Sequence, residues 1–184
     1  MVFGLVLLAA VTLLAVWAVA IYNRLVRLKN MGREGWSGID VQLKRRANLI
    51  PNLVEAVKGY LSHESDLISR VTELRSRSMQ TREVAEKGRL EGEISRSLAG
   101  ILAVAEDYPD LKANQSFLDL QDQLARIEEE IQMARRYYNG AARELNIKIE
   151  SFPSNLIAGV FGFSPMEYFE IADAGERAVP KVAF

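Results

Sequence analysis

The stretch FLDLQDQLARIEEEIQMARRYYNGAARELNIKI, running from Phe117 to Ile149, decides the fold. Its apolar positions are Phe117, Leu120, Leu124, Ile127, Ile131, Ala134, Tyr138, Ala141, Leu145 and Ile149, in steps of three and four without a slip. Charged residues such as Arg126, Glu128, Glu129 and Glu130 fill the positions between. That period lines the apolar side chains along one stripe of an α-helix, and a stripe this long is stable only against other helices. The spacing predicts a long helix in a bundle or coiled coil.

Upstream the same pattern repeats. Val84, Leu90, Ile94, Leu98, Ile101 and Ala105 predict a shorter helix that stops at Asp107-Tyr108-Pro109-Asp110, where Pro109 suits a first helical turn. The polar stretch from Ser76 to Arg82 reads as the preceding turn. Before it, Leu43, Ala47, Ile50, Val54, Val57, Leu61, Ile68 and Val71 hold one phase, with Leu53, Tyr60, Leu67 and Leu74 widening the face. Because the phase passes Pro51 unchanged, the reading is one helix kinked there. Ser37 and Asp40 resemble a capping box at its start, with Trp36 and Val41 at the staple positions. Gly32, Gly35 and Gly38 weaken helix just ahead, so residues 31–36 are expected to form a joint.

Helices of about 42, about 25 and about 40 residues span roughly 63, 37 and 60 Å. In up-down-up order the third overhangs the distal end by about 23 Å with its stripe intact. Either the C-terminal segment folds back over that stripe or another subunit covers it. The segment 151–184 is rich in Phe and Gly, and its aromatics Phe152, Phe161, Phe163, Tyr168, Phe169 and Phe184 are the expected partner or subunit contacts. It is too short and too broken by Pro153, Gly159, Gly162 and Pro165 to cross a membrane. Pro180 marks an extended end at Val179 to Phe184.

Val2 to Ile21 carries no charge, and at ~1.5 Å per residue it reaches ~30 Å, the thickness of a bilayer's hydrocarbon core. Trp17 and Tyr22 suit the headgroup level. Ala18-Val19-Ala20 resembles a signal-peptide cleavage site, but no Lys or Arg precedes the run, which favours a retained anchor. Arg24, Arg27, Lys29 and Arg33 follow before the first acid, Glu34. By the positive-inside rule they put the N-terminus outside and the body in the cytoplasm, and they are placed to meet anionic lipid. No small-xxx-small pair marks the span for dimerisation. The expected organisation is an all-α chain. Residues 1–30 form the transmembrane anchor and juxtamembrane helix, 31–36 the joint, 37–150 an antiparallel bundle of three long helices, and 151–184 a docking segment and tail.

Composition excludes several chemistries. A net charge of −1 offers no global attraction to nucleic acid, and the absence of cysteine removes disulfides and thiolate sites. His63, the single histidine, sits in the polar run Ser62-His63-Glu64-Ser65-Asp66 and reads as solvated. No nucleophile elbow, phosphate loop or dinucleotide fingerprint is present, so no catalytic, cofactor or metal residue is assigned. Lys44-Arg45-Arg46 is expected to pair with acids of neighbouring helices rather than bind a partner or RNA.

Several stretches resemble the LemA family. They are Tyr22-Asn23-Arg24-Leu25-Val26, Ile39-Asp40-Val41-Gln42-Leu43-Lys44-Arg45-Arg46, Leu49-Ile50-Pro51-Asn52-Leu53-Val54, Val57-Lys58-Gly59-Tyr60, Tyr108-Pro109-Asp110-Leu111-Lys112-Ala113-Asn114, Ala134-Arg135-Arg136-Tyr137-Tyr138-Asn139 and Phe152-Pro153-Ser154-Asn155 with Phe161-Gly162-Phe163. Gly140 departs from the family pattern, where an acid is expected. The resemblance implies a single-pass anchor on an antiparallel helical bundle and implies no enzyme activity. The function expected is a self-associating scaffold on the cytoplasmic face of the inner (plasma) membrane. The alternative is an adaptor for a membrane protease or another envelope protein, with an enzyme a distant third.

Overall fold

The computed structural model describes residues 1–60 and 64–171. His63 and Phe184 therefore lie outside the described residues, as does the extended end from Val179. The described chain is all-helical: α1 (Val2–Lys58), α2 (Ser65–Gln80), α3 (Val84–Ala105), α4 (Pro109–Lys112), α5 (Gln115–Glu150) and α6 (Ser154–Val160). Two compact units form, each discontinuous in sequence. Among the described residues, the first joins 1–38 to 134–168, and the second joins 39–133 to 169–171.

α1 corrects the expected joint. It runs 57 residues without interruption through Gly32, Gly35 and Gly38, and Ser37 lies inside it rather than capping a new helix. Two of the glycines have a packing reason. A side chain at Gly32 would meet the thioether of Met166, and one at Gly35 would come within 3.0 Å of the Tyr138 Cα. Close approach, gained along the whole helix face, outweighs a propensity cost of up to ~1 kcal/mol per glycine. Pro51 also lies within α1, as its unbroken phase foretold.

The long first body helix, by contrast, is two helices. α1 stops at Lys58, Gly59 and Tyr60 turn, and α2 begins at Ser65. α2 doubles back: Arg75 Nε donates to the Ala47 carbonyl at 2.6 Å, and Val71 and Leu74 share one core with Ile50, Leu53 and Val57. A stripe that re-enters the same core keeps its phase, so periodicity does not distinguish a continuous helix from a hairpin. The turn also starts later than expected, since α2 holds Ser76 to Gln80 in helix.

Ion pairs give the remaining directions in the second unit. Arg70 meets Glu93 at 2.6 Å while Arg77 faces Glu86, so α2 and α3 are antiparallel. Asp40 pairs with Lys87 and Arg46 with Glu91, so α3 runs with α1. A shallow groove between Asn52-Glu55 and Ser116-Asp119, together with the Arg45–Glu130 pair, sets α5 against α1. The result is an up-down-up-down bundle closed at one end by α4. Asn114 Oδ1 caps α5 by accepting from the amides of Ser116 (3.0 Å) and Phe117 (3.3 Å).

In the first unit the distal stripe of α5 is covered from within the chain. Leu145 packs with Ile21, Leu25 and Leu28 of α1 and with Ala158 of α6. The expected overhang does not arise here, because α1 is far longer than the body helix read from the sequence and the C-terminal segment folds over the same stripe.

Candidate functional site

The first unit gathers most of the residues that the sequence singles out. Tyr22, one residue past the apolar run of α1, holds Phe161 at 4.7 Å and Phe163 at 5.8 Å between ring centroids. The ammonium of Lys29 stands 5.6 Å over the Phe163 ring, a cation–π contact worth ~0.5–1 kcal/mol where exposed. Arg24, Arg27 and Arg33 are exposed on α1. Phe152 (80%), Phe161 (59%) and Tyr168 (42%) are also exposed, and Phe163 is half-buried. Phe169 departs from its expected role as a contact residue: it is wholly buried in the second unit, with Ile171 beside it in sequence and also buried. An aromatic-rich run reports that burial is needed, but not which side chains find it within their own chain.

The segment after α6 is fastened by a residue that sequence reasoning missed. Asn146, buried on α5, donates from Nδ2 to the Met166 carbonyl at 2.9 Å and accepts the Met166 amide on Oδ1 at 2.8 Å. One side-chain amide thus satisfies both main-chain groups of Met166, as a neighbouring strand would. Tyr138, whose ring also meets that of Trp36 at a tilt, 5.6 Å between centroids, donates its hydroxyl to the Glu167 carbonyl at 2.7 Å. Burial, and then the nearby Glu167 charge, push the Tyr138 phenol above its ordinary value. Ser154 ties α6 to the end of α5 by donating to the carbonyls of Lys148 (2.7 Å) and Ser151 (2.9 Å).

In the second unit the basic run resolves into ion pairs. Lys44 meets Asp40 at 2.7 Å, Arg45 meets Glu130 at 2.5 Å, and Arg46 is buried at 1% exposure. The Arg46 guanidinium donates to Ser95 Oγ and Glu128 Oε2, both at 2.7 Å, to the Glu91 carbonyl at 3.2 Å, and to the buried Glu91 carboxylate. Ser78 of α2 donates to the other oxygen of Glu91. Four helices therefore meet on one buried charge pair. Its signal was present in the sequence: Arg46 falls three after Leu43 and four before Ile50, and Glu91 three before Ile94. Each flanks an apolar stripe with a charge of opposite sign, and a buried charge demands a partner. The arrangement is saturated by its own hydrogen bonds and presents no open reacting position. Among the described residues no buried side-chain polar atom lacks a partner, and no group of three or more His, Asp or Glu is placed to hold a metal ion.

An apolar N-terminal helix long enough to cross a membrane, continued into a body of packed helices, defines the class: an all-α protein with one candidate span among the described residues. Within that class the chain belongs to the LemA family, whose model matches residues 35–184. The family resemblance read from the motifs is thus confirmed over most of the chain. Magnetosome protein MamQ 2 of Paramagnetospirillum magneticum is 26% identical over an alignment covering 86% of this chain and 68% of that protein. MamQ of Magnetospirillum gryphiswaldense is 22% identical over the same shares. Protein LemA of Metamycoplasma hominis is 30% identical across 74% of this chain and 63% of its own length.

Proposed function

We propose that this protein is a non-enzymatic, self-associating scaffold held in the inner (plasma) membrane by the first part of α1, with its N-terminus outside and its body cytoplasmic. The observation that carries the anchoring is the bare apolar end of α1. Phe3 is 81% exposed, Leu8 64% and Leu13 70%, with no protein cover over a stretch of bilayer length. Arg24, Arg27, Lys29 and Arg33 follow at once and supply the positive-inside bias and a contact for anionic lipid. The relatives' names, a magnetosome protein and LemA, describe a place and a family rather than a reaction. No cofactor and no nucleic acid enter this reading.

The adaptor reading, in which the C-terminal segment engages a membrane protease or other envelope protein, draws on the exposed ring of Tyr168. Native mass spectrometry of the full chain released from detergent separates the two. A ladder of identical subunits supports the scaffold, and a stoichiometric membrane protein supports the adaptor. A monomer alone would sink both.

A further inference from the structure

α6 turns two of its three large apolar side chains, Leu156 and Val160, outward and only Ile157 partly inward. Its small residues Ser154 and Ala158, four apart, face inward at 1% exposure each, while Leu156 and Val160, also four apart, face outward at 59% and 79%. Phe152 before the helix and Phe161 after it extend the outward apolar surface at 80% and 59% exposure. From Ser151 to Pro165 there is no charged side chain at all. A surface helix of a soluble body turns its large apolar residues to the core, so this polarity needs a second apolar phase.

The neighbours of α6 say which phase. The Phe161 ring meets that of Tyr22 at a tilt, and Ala158 packs with Ile21 and Leu25, so α6 lies alongside the end of the apolar run of α1. With ~1.5 Å rise per residue, Tyr22 to Leu25 fall within about 6 Å of the end of that run. A bilayer's headgroup layer is about 5–7 Å thick on each side of a ~30 Å core. We infer that α6 is an interfacial membrane helix: its outward face of Phe152, Leu156, Val160 and Phe161 sits at the acyl–headgroup boundary of the bilayer that α1 crosses. Its inward face is held to α5 and α1 by Ser154 and Ala158. Arg24, exposed on the adjoining turn of α1, lies at headgroup level, and exposed Arg27, about 9 Å past the run, with Lys29 over Phe163, completes a mixed aromatic and cationic rim just beyond it. The chain then meets the membrane through two elements far apart in sequence. The inference rests on the reading of α1 as a membrane anchor.

The chain has no cysteine, so a spin label at a single introduced cysteine reports one position. Leu156→Cys, Leu8→Cys and Ser37→Cys are each labelled in the full chain and reconstituted into vesicles of phosphatidylcholine with phosphatidylglycerol. Accessibility to oxygen, which concentrates in lipid, is compared with accessibility to a water-soluble nickel chelate. The ratio at position 156 is expected to exceed that at exposed Ser37 several-fold and to fall below that at position 8. A nickel accessibility at 156 equal to that at 37, with position 8 still lipid-like, overturns the inference alone. A water-like label at position 8 overturns the anchor itself. Dipolar broadening at 156 that disappears on dilution with unlabelled protein assigns the face to a second copy of the chain, and also overturns the lipid reading.

Discussion

Arg46 on α1 and Glu91 on α3 form an ion pair in which neither partner sees solvent, their side chains being 1% and 4% exposed. Desolvating two charges costs several kcal/mol each, so such a pair stabilises little against an apolar substitute but is severely missed when half is removed. Arg46→Ala is expected to cost about 3–5 kcal/mol in urea unfolding, because Glu91 is then buried without its counter-charge. The double replacement Arg46→Met with Glu91→Leu should recover most of that loss. Equal loss in the single and double variants would show that the pair does not matter as a pair.

Glycines three residues apart on α1 should respond in opposite directions. Gly35→Ala brings a methyl group to 3.0 Å from the Tyr137 ring and the Tyr138 Cα, and overpacking of that kind costs about 1–3 kcal/mol. Gly38→Ala meets nothing within 4 Å and should gain about 0.5–1 kcal/mol of helix propensity. Melting temperatures of the two variants measure the contrast. Two shifts of the same sign would mean that propensity alone governs this stretch.

Asn146→Leu should free the segment around Met166. Both main-chain groups of that residue lose their partner, a loss of about 1–3 kcal/mol for each group that stays buried. Limited proteolysis should then cut faster between Phe163 and Ile171, while circular dichroism retains the helices. Unchanged cleavage would place the restraint elsewhere.

Acid should erode one specific contact. Asp40 is held below its ordinary value of 3.8 first by a hydrogen bond from Lys44 and then by Lys87, against the opposing effect of burial. The folded state thus binds this proton less tightly than the unfolded chain. Its contribution is complete above 3.8 and is lost as pH falls through the lower folded value. Urea unfolding of Asp40→Asn and the parent should differ most at neutral pH and converge in acid. A difference that widens in acid would reverse this sign.

The orientation of the anchor can be read from the exposed turn between α2 and α3. A thiol introduced as Arg82→Cys should resist a membrane-impermeant maleimide in intact cells and react after lysis. Changing Arg24, Arg27, Lys29 and Arg33 together to Gln should mix the two orientations, since those four cations carry the charge bias of the anchor. Labelling of the Arg82→Cys chain in intact cells would invert the proposed topology.

The helices were legible where a stripe is long and unbroken, as from Phe117 to Ile149, because only one backbone geometry aligns that spacing. The hairpin between Lys58 and Ser65 was hidden, since Val71 and Leu74 return to the core that Ile50 and Val57 already occupy and so keep the stripe in phase. Gly32 and Gly35 were ambiguous for a different reason. The same residue weakens an isolated helix and permits a tight helix contact, and only the presence of Met166 and Tyr138 decides between them. Arg46 and Glu91 were readable as charges flanking apolar stripes. Asn146 was not, because its partner is a main-chain group that no side-chain pattern marks.

Burial of Phe169 also sets a schedule for synthesis. The second unit draws on residues 39–133 and then on Phe169 and Ile171, and a side chain at Gly88 would run into the Glu170 carbonyl. A ribosome adding ~5–20 residues each second needs about 2–7 s to travel from Met133 to Phe169. Through that interval residues 39–133 exist without Phe169 and Ile171, both buried in the finished fold. Chains halted within that interval are expected to expose apolar surface that the finished fold covers.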